Sequence, residues 1–202
     1  GTGVHDWRGL FAKSGKHPET RVDNYSEWAR RGGWSSSSGR GWANLSNTPF
    51  RMYKRYTHEG GVATPLIVHW PKGVRARGEL RHAPGHLIDI APTCLAAAGL
   101  KAKGMEGESL LPVFAGDRKQ ERTLFWEHEG NRAVRRGSYK LVALHDSPWE
   151  LYDMDRDRSE LNDLSSAMPG KAKELQRAYE AWARRVGAKP WNEVNLKKKK
   201  KK

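Results

Sequence analysis

Lys54 stands five residues before Glu59-Gly60-Gly61, within the stretch WANLSNTPFRMYKRYTHEGGVATPLIVHW from Trp42 to Trp70. An ammonium next to a glycine pair suits an oxyanion pocket. Glycine has no Cβ, so the backbone can turn sharply or approach a ligand closely, and a fixed cation stabilises negative charge developing in a reaction. A surface lysine is the alternative meaning of the same residues. Other chemistry-bearing residues are less well placed. His82 and His86 lack a third ligand at suitable spacing for zinc. Asp153, Asp155 and Asp157 copy the start of a calcium loop, but Arg158 stands where that loop needs Gly and Leu164 where it needs a bidentate Glu, so the run reads as a charged turn. Cys94 is the only cysteine; it has no disulfide partner, and in PTCLAAAGL it reads as a small buried thiol.

These residues need elements to position them. Asn47-Thr48-Pro49 is a loop that sets the start of Phe50 to His58. Thr64 to Trp70, rich in Leu, Ile and Val, reads as a strand buried in a sheet. A turn at Pro71-Lys72-Gly73 and a basic loop follow. Asp89 is a good N-cap, placing Pro92 in the first turn of a helix with Leu95 and Ala98 on one face and Gly99 as its stop. From Arg122 the period shortens. Arg122 to His128, Asn131 to Arg136, Ser138 to Leu144 and Trp149 to Tyr152 read as four strands. Glu129-Gly130 and Arg136-Gly137 are tight turns between the first three, which makes the array an antiparallel meander. Pro169 opens a last helix whose stripe Ala172, Leu175, Tyr179, Trp182 and Val186 would cover one face of that sheet. A favourable Glu180–Arg184 pair lies on its other face, and Gly187 ends it. Gly1 to Arg40 reads as a loop, with a short helix near Tyr25 to Arg30.

With 202 residues, 37% of them hydrophobic and 30% charged, the chain has a modest core. No run approaches the ~18 apolar residues of a membrane span. Gly1 to Leu10 lacks the charged start and apolar core of a signal peptide. The net charge of +14 raises nucleic acid as a partner, but Lys197 to Lys202 supply six of those charges, leaving 14 − 6 = +8 on the rest. The remaining basic residues follow no RNA- or DNA-binding signature.

Lys54-x4-Glu59-Gly60-Gly61-x3-Pro65, with WANLSNTPFR before it and PLIVHWP after, resembles the formylglycine-dependent sulfatases of the arylsulfatase A type, on the alkaline-phosphatase superfold. The resemblance continues in order through GHLIDIAPT (85–93), EGESLLPVF (106–114), LFWEHEGNRAVRRGSYKLV (124–142) and WELYDMDRDRSELNDLS (149–165). It implies an α/β fold: the end of a large mixed sulfatase-type sheet, then a small four-stranded antiparallel sheet packed with a C-terminal helix. On that reading residues 1–118 close the catalytic α/β domain, 119–190 form the subdomain and 191–202 are a basic tail.

The resemblance also implies a chemistry. In such enzymes a hydrated formylglycine, made from a Cys or Ser in a Cys/Ser-x-Pro-x-Arg signature, attacks the sulfur of a sulfate ester, and calcium neutralises the sulfate oxygens. Cys94, followed by Leu-Ala-Ala-Ala, is not that residue. Asp23-Asn24 is not the calcium pair, because Thr20-Arg21-Val22 precedes it and Tyr25 follows. Nucleophile and calcium ligands are therefore expected upstream of Gly1, and this segment alone is expected to be inactive. Lys54 matches the sulfate-binding lysine. His128 and Asn131 sit on a turn that can face the alcohol portion of an aryl or carbohydrate sulfate ester. The partner implied is the N-terminal catalytic part, and the location periplasmic or secreted. A fragment of a related phosphatase or phosphodiesterase, and a non-catalytic basic binding module, are the alternatives.

Overall fold

Four short strands, each joined to the next by a local turn, account for the only sheet among the described residues. They are β1 (Thr123–His128), β2 (Asn131–Arg136), β3 (Tyr139–Ala143) and β4 (Glu150–Asp153), hydrogen-bonded in the order β1-β2-β3-β4. The computed structural model describes residues 39–75, 78–116 and 121–194. The helix expected at Tyr25 to Arg30, the Asp23-Asn24 pair and the lysine run at 197–202 lie outside them. The meander expected from sequence is present with strand ends within two residues. Glu129 and Gly130 both have positive φ, 51° and 84°, the mirror-image turn whose twist matches the strands it joins. β3 and β4 pair antiparallel, with Tyr139 opposite Asp153 and Leu141 opposite Leu151.

Contacts divide the chain into two compact units. Among the described residues, one contains 39–64, Phe125–Val134 and 138–194; the other contains those between Pro65 and Leu124 together with Arg135–Gly137. In the first unit the two-residue period of a strand sorts the side chains onto two faces. Val134, Leu141 and Leu151 share one face and form a buried cluster with Leu175 and Tyr179. The last two lie on the C-terminal helix, Pro169–Val186, which carries the stripe read from the sequence. Trp182 stacks on Phe125 with ring centroids 5.0 Å apart, and Tyr179 meets Trp149 edge-on. Proline at the start and Gly187 at φ 70° bound this helix, and Ala188 N–H donates to Ala183 O at 2.9 Å, the glycine-ended cap that satisfies the last carbonyls. Val186, expected in the stripe, is exposed, because the packed residues end at Ala183. The other face carries Ala133, Val142, Tyr152 and Met154, and by the same parity Lys140 and Glu150.

The second unit is built from a 3-10 turn (Leu87–Asp89), a helix at Ile90–Ala97 and another at Leu111–Ala115. Asp89 does precede the helix, but its carboxylate is used elsewhere. Oδ2 accepts from His86 N–H at 2.7 Å, Oδ1 accepts from Glu108 N–H at 3.0 Å, and Arg122 donates to both oxygens. Burial works to raise this carboxyl, but the Arg122 hydrogen bonds and backbone donors outweigh it and hold it below the usual range. Thr93 Oγ1 donates to Asp89 O and accepts from Leu110 N–H, and Gly99 ends the helix at φ 73°.

Two expectations change here. Thr64 to Trp70 is extended but pairs with no strand among the described residues, and Ile67 is 90% exposed. Cys94 is exposed rather than buried. One cause accounts for both: the apolar segment and the helix face line an open groove of about 320 Å³, bounded by Leu66, Ile67, Val68, Ile90, Cys94 and Phe114, whose mouth no described residue fills. No described helix is long and apolar enough to cross a membrane.

Candidate functional site

The loop from Phe50 to His58 crosses the sheet face that carries Lys140, Glu150 and Tyr152 and is fastened along its length. At its start, Arg51 Nη1 donates to Glu150 Oε2 (2.9 Å), Tyr152 Oη (2.8 Å) and Glu160 O (3.3 Å). Near its end, Thr57 Oγ1 donates to Arg132 O at 3.1 Å. His58 is fully buried and lies 3.3 Å from Glu150 Oε2. A carboxylate only accepts, so Nε2 carries the proton, and Nδ1 is left with no hydrogen-bond partner. Burial pushes the His58 imidazole down to about 4, with the charges of Lys140 and Arg51 helping and the Glu150 hydrogen bond opposing. The ring is therefore neutral near pH 7. Burial acts to raise Glu150, yet Tyr152, His58 and the Arg51 charge together hold it below the usual carboxylate range.

After the loop comes a one-turn helix, Glu59–Val62. The glycine pair meets the close approach expected of it, but the approaching group is this chain's own loop. A Cβ on Gly60 would lie 2.0 Å from Met52 O, and one on Gly61 2.0 Å from Tyr56 O. Gly60 N–H donates to Arg51 O at 2.9 Å. Loop and helix turn are thus stacked backbone on backbone, and neither can shift without the other.

Lys54 sits at the tip. Tyr56 N–H donates to Tyr53 O at 3.1 Å, closing a turn with Lys54 and Arg55 as its central residues. Arg55 has φ 95°, in the region that ordinarily takes glycine at this turn position. Asn131 holds that conformation. Its Nδ2 donates to Arg55 O at 3.2 Å and to His128 O at 3.0 Å, while its Oδ1 accepts from His145 N–H at 3.2 Å. Arg55 also pairs with Glu129 on the β1–β2 turn. The three residues singled out from sequence therefore converge: one buried amide joins the turn bearing Lys54 to the turn bearing His128. Asn131 itself is buried, whereas Lys54 and His128 are exposed. Of the basic and acidic side chains between Arg51 and Glu59, Arg51, Arg55, the neutral His58 and Glu59 are all bonded within this unit. Lys54 forms no hydrogen bond or ion pair among the described residues, which leaves one free cation on a strained, braced turn.

Sequence reasoning missed what lies beneath. Lys140, fully buried on β3, places Nζ 2.9 Å from Glu59 Oε1 and 2.8 Å from Glu160 Oε1. Glu160 Oε2 accepts from Glu59 N–H at 2.8 Å, and Arg158 Nη2 reaches Glu59 Oε2 at 3.3 Å. Burial raises the Glu160 carboxyl, with Lys140 pulling the other way. The one available signal was a lysine on the same strand parity as Val142 in an otherwise apolar run.

The aspartates of the calcium-like run serve their own turn. Asp153 Oδ1 accepts from Asp155 N–H, and Asp157 Oδ2 accepts from Leu161 and Asn162 N–H. Among the described residues no three His, Cys, Asp or Glu side chains gather as a metal site, so these residues do not fit a calcium ion.

The braced loop, the sheet and most of the C-terminal helix fall within residues 50–182, which match the family model for N-sulphoglucosamine sulphohydrolase, C-terminal. The chain belongs to this sulfatase family. An uncharacterized sulfatase of Schizosaccharomyces pombe is 30% identical over 151 residues, covering 66% of this chain and 27% of the relative. N-acetylgalactosamine-6-sulfatase of Mus musculus is 38% identical over 118 residues, covering 55% of this chain and 22% of that enzyme. Among solved structures, Ps i-CgsB superposes with a TM-score of 0.61 at 28% identity over 69% of this chain and 34% of that one; it has also been solved in complex with k-i-k-neocarrahexaose. The chain thus spans about a quarter of the curated relatives it matches, 27% and 22% of these two, and corresponds to their C-terminal part.

Proposed function

We propose that the complete protein hydrolyses sulfate esters of carbohydrates, and that this segment supplies the cation that holds the sulfate. The observation that carries the reading is the turn at Lys54: an exposed ammonium with no partner among the described residues, at the tip of a loop whose other ionic side chains are tied down, beside a residue in a strained conformation. Strain held in place by buried hydrogen bonds is characteristic of functional positions. A preorganised cation facing developing negative charge needs no reorganisation during reaction. Lys54 Nζ would lie against a sulfate oxygen. His128 would meet the alcohol portion, and Asn131 would serve the same surface by holding both turns. The carbohydrate class is supported by relatives named for amino-sugar sulfates, such as the mouse enzyme.

The calcium ligands and the attacking formylglycine would belong to residues outside this chain. The groove of the second unit would receive part of that catalytic domain, which is supported by the share of the relatives left uncovered and by the exposure of Leu66 and Ile67. A periplasmic or secreted location goes with this reading.

The test is made in a full-length sulfatase carrying these residues. Lys54→Ala should lose on the order of 10²–10³ in rate, mostly in kcat, because charge on the leaving oxygen peaks in the transition state. Lys54→Arg should recover part, since a planar guanidinium is a poor replacement for a compact ammonium. Lys173→Ala, an exposed cation on the C-terminal helix, should leave the rate unchanged. Near-full activity in Lys54→Ala rejects the assignment; turnover of phosphate but not sulfate esters would move the protein to a phosphatase.

A further inference from the structure

We propose that Lys140 is a positioning residue for the reaction: with Glu59 and Glu160 it forms a buried clamp that fixes the height of the loop bearing Lys54. This inference rests on the reading of Lys54 given above. It begins with a physical oddity. A fully buried lysine between two buried carboxylates is an expensive arrangement, because removing the charges from water can outweigh their mutual attraction. An apolar residue at position 140 would continue the parity of Val142 and pack without that penalty.

The geometry shows what the clamp controls. Lys140 Nζ is within 2.9 Å of Glu59 Oε1 and 2.8 Å of Glu160 Oε1. Glu160 in turn accepts the Glu59 amide at 2.8 Å, so both the side chain and the backbone of Glu59 are fixed. Glu160 adopts φ 57°, a strained conformation for a residue with a Cβ, and its carbonyl accepts from Arg51. From Glu59 the path is backbone. Gly60 N–H holds Arg51 O, and the absent Cβ atoms of Gly60 and Gly61 leave the helix turn pressed on the carbonyls of Met52 and Tyr56. Those carbonyls bracket Lys54. A shift of Glu59 is therefore passed to the turn that presents the ammonium, and a misplacement of about 1 Å at a reacting group can lower a rate on the order of 10²-fold.

The discriminating experiment is a double-mutant cycle in kcat for the full-length enzyme, comparing Lys140→Met in wild-type and Lys54→Ala backgrounds, with melting temperatures recorded for each. If Lys140 acts through Lys54, Lys140→Met lowers kcat by about 10- to 100-fold in the wild-type background and by less than about twofold when Lys54 is already absent, since groups working as a unit are not additive. Equal losses in both backgrounds overturn the proposal, because general loosening of the fold adds independently. No loss in either background also overturns it. A Lys54→Ala enzyme that keeps its rate rejects the parent reading, a result visible without any change at Lys140. Lys140→Met strands two buried carboxylates; if it does not fold, Glu160→Gln, which halves the clamp but retains its shape, carries the same cycle with the same two outcomes. Lys140→Arg should restore part of kcat.

Discussion

In the unit built on the four strands, Leu141, Leu151 and Leu175 are completely buried, while in the unit from Pro65 to Leu124 the comparable side chains Ile67 and Leu87 stand 90% and 84% exposed. The two units have similar raw material, runs of aliphatic residues bounded by glycine and proline. They differ in what closes over it. The first unit has local turns that fold four strands on themselves and a helix whose stripe is cut to the width of the sheet, so it buries apolar surface from within its own sequence. The second has one extended segment and short helices held by a buried ion pair, Asp89 with Arg122. An extended apolar segment becomes buried only when strands and helices cover it, and none of the described residues does so. An apolar core closed from within and an apolar face left open among the described residues thus occur in one chain.

The largest effect that could break this comparison is a core truncation. Leu175→Ala removes a fully buried side chain from the cluster under the C-terminal helix and should cost about 2–5 kcal/mol in urea unfolding of the chain. Ile67→Ala should change stability by no more than about 0.5 kcal/mol, as for other exposed sites. If the two cost the same, Ile67 is buried in solution and the contrast between units disappears.

A smaller effect distinguishes two histidines, His58 buried and His86 half-buried. His58 lies in the first unit with its imidazole lowered to about 4, and His86 in the second is also lowered, in both cases chiefly by burial. A base whose folded value lies below its unfolded value of 6.5 binds protons more readily when unfolded. The stability it contributes is complete above pH 6.5 and is lost as the pH falls toward the folded value. The first unit should therefore weaken between pH 6.5 and 4, and His58→Gln should flatten that slope while His86→Gln leaves it intact. Urea unfolding repeated across that pH range reads the slope. An unchanged slope in His58→Gln would mean that the ring is hydrated.

What was legible in the sequence follows the same divide. The meander was readable because its first two turns span two residues and carry glycine, and the last helix because Pro169, a three-four stripe and Gly187 mark it from within. The clamp was not readable. Lys140 meets Glu59 across 81 positions and Glu160 meets the Glu59 amide across 101, and no local pattern reports pairings at such distance. Lys54 is legible through its spacing to the glycine pair, but the reason for that spacing, a loop lying directly on two Cα atoms, is a tertiary contact that no local pattern reports. Cys94 was misplaced for a different reason. Periodicity identifies the apolar face of a helix, whereas burial also requires something opposite that face.

Cys94 supplies the smallest and most selective test. Its side chain is exposed and lines the open groove beside Leu66 and Phe114, and as the only cysteine it reports that groove alone. A maleimide should label it under native conditions at a rate within about tenfold of a small free thiol, since access and thiolate character govern such reactions. Adding denaturant should then accelerate labelling little. In the full-length protein the same thiol should be slowed at least tenfold if the catalytic domain occupies the groove, without any change at Lys140 or Leu175. Rapid labelling in both forms would leave the groove open in the complete protein and assign its apolar lining to another partner. Slow labelling in both would mean that this segment covers the groove by itself, placing its two units on the same footing after all.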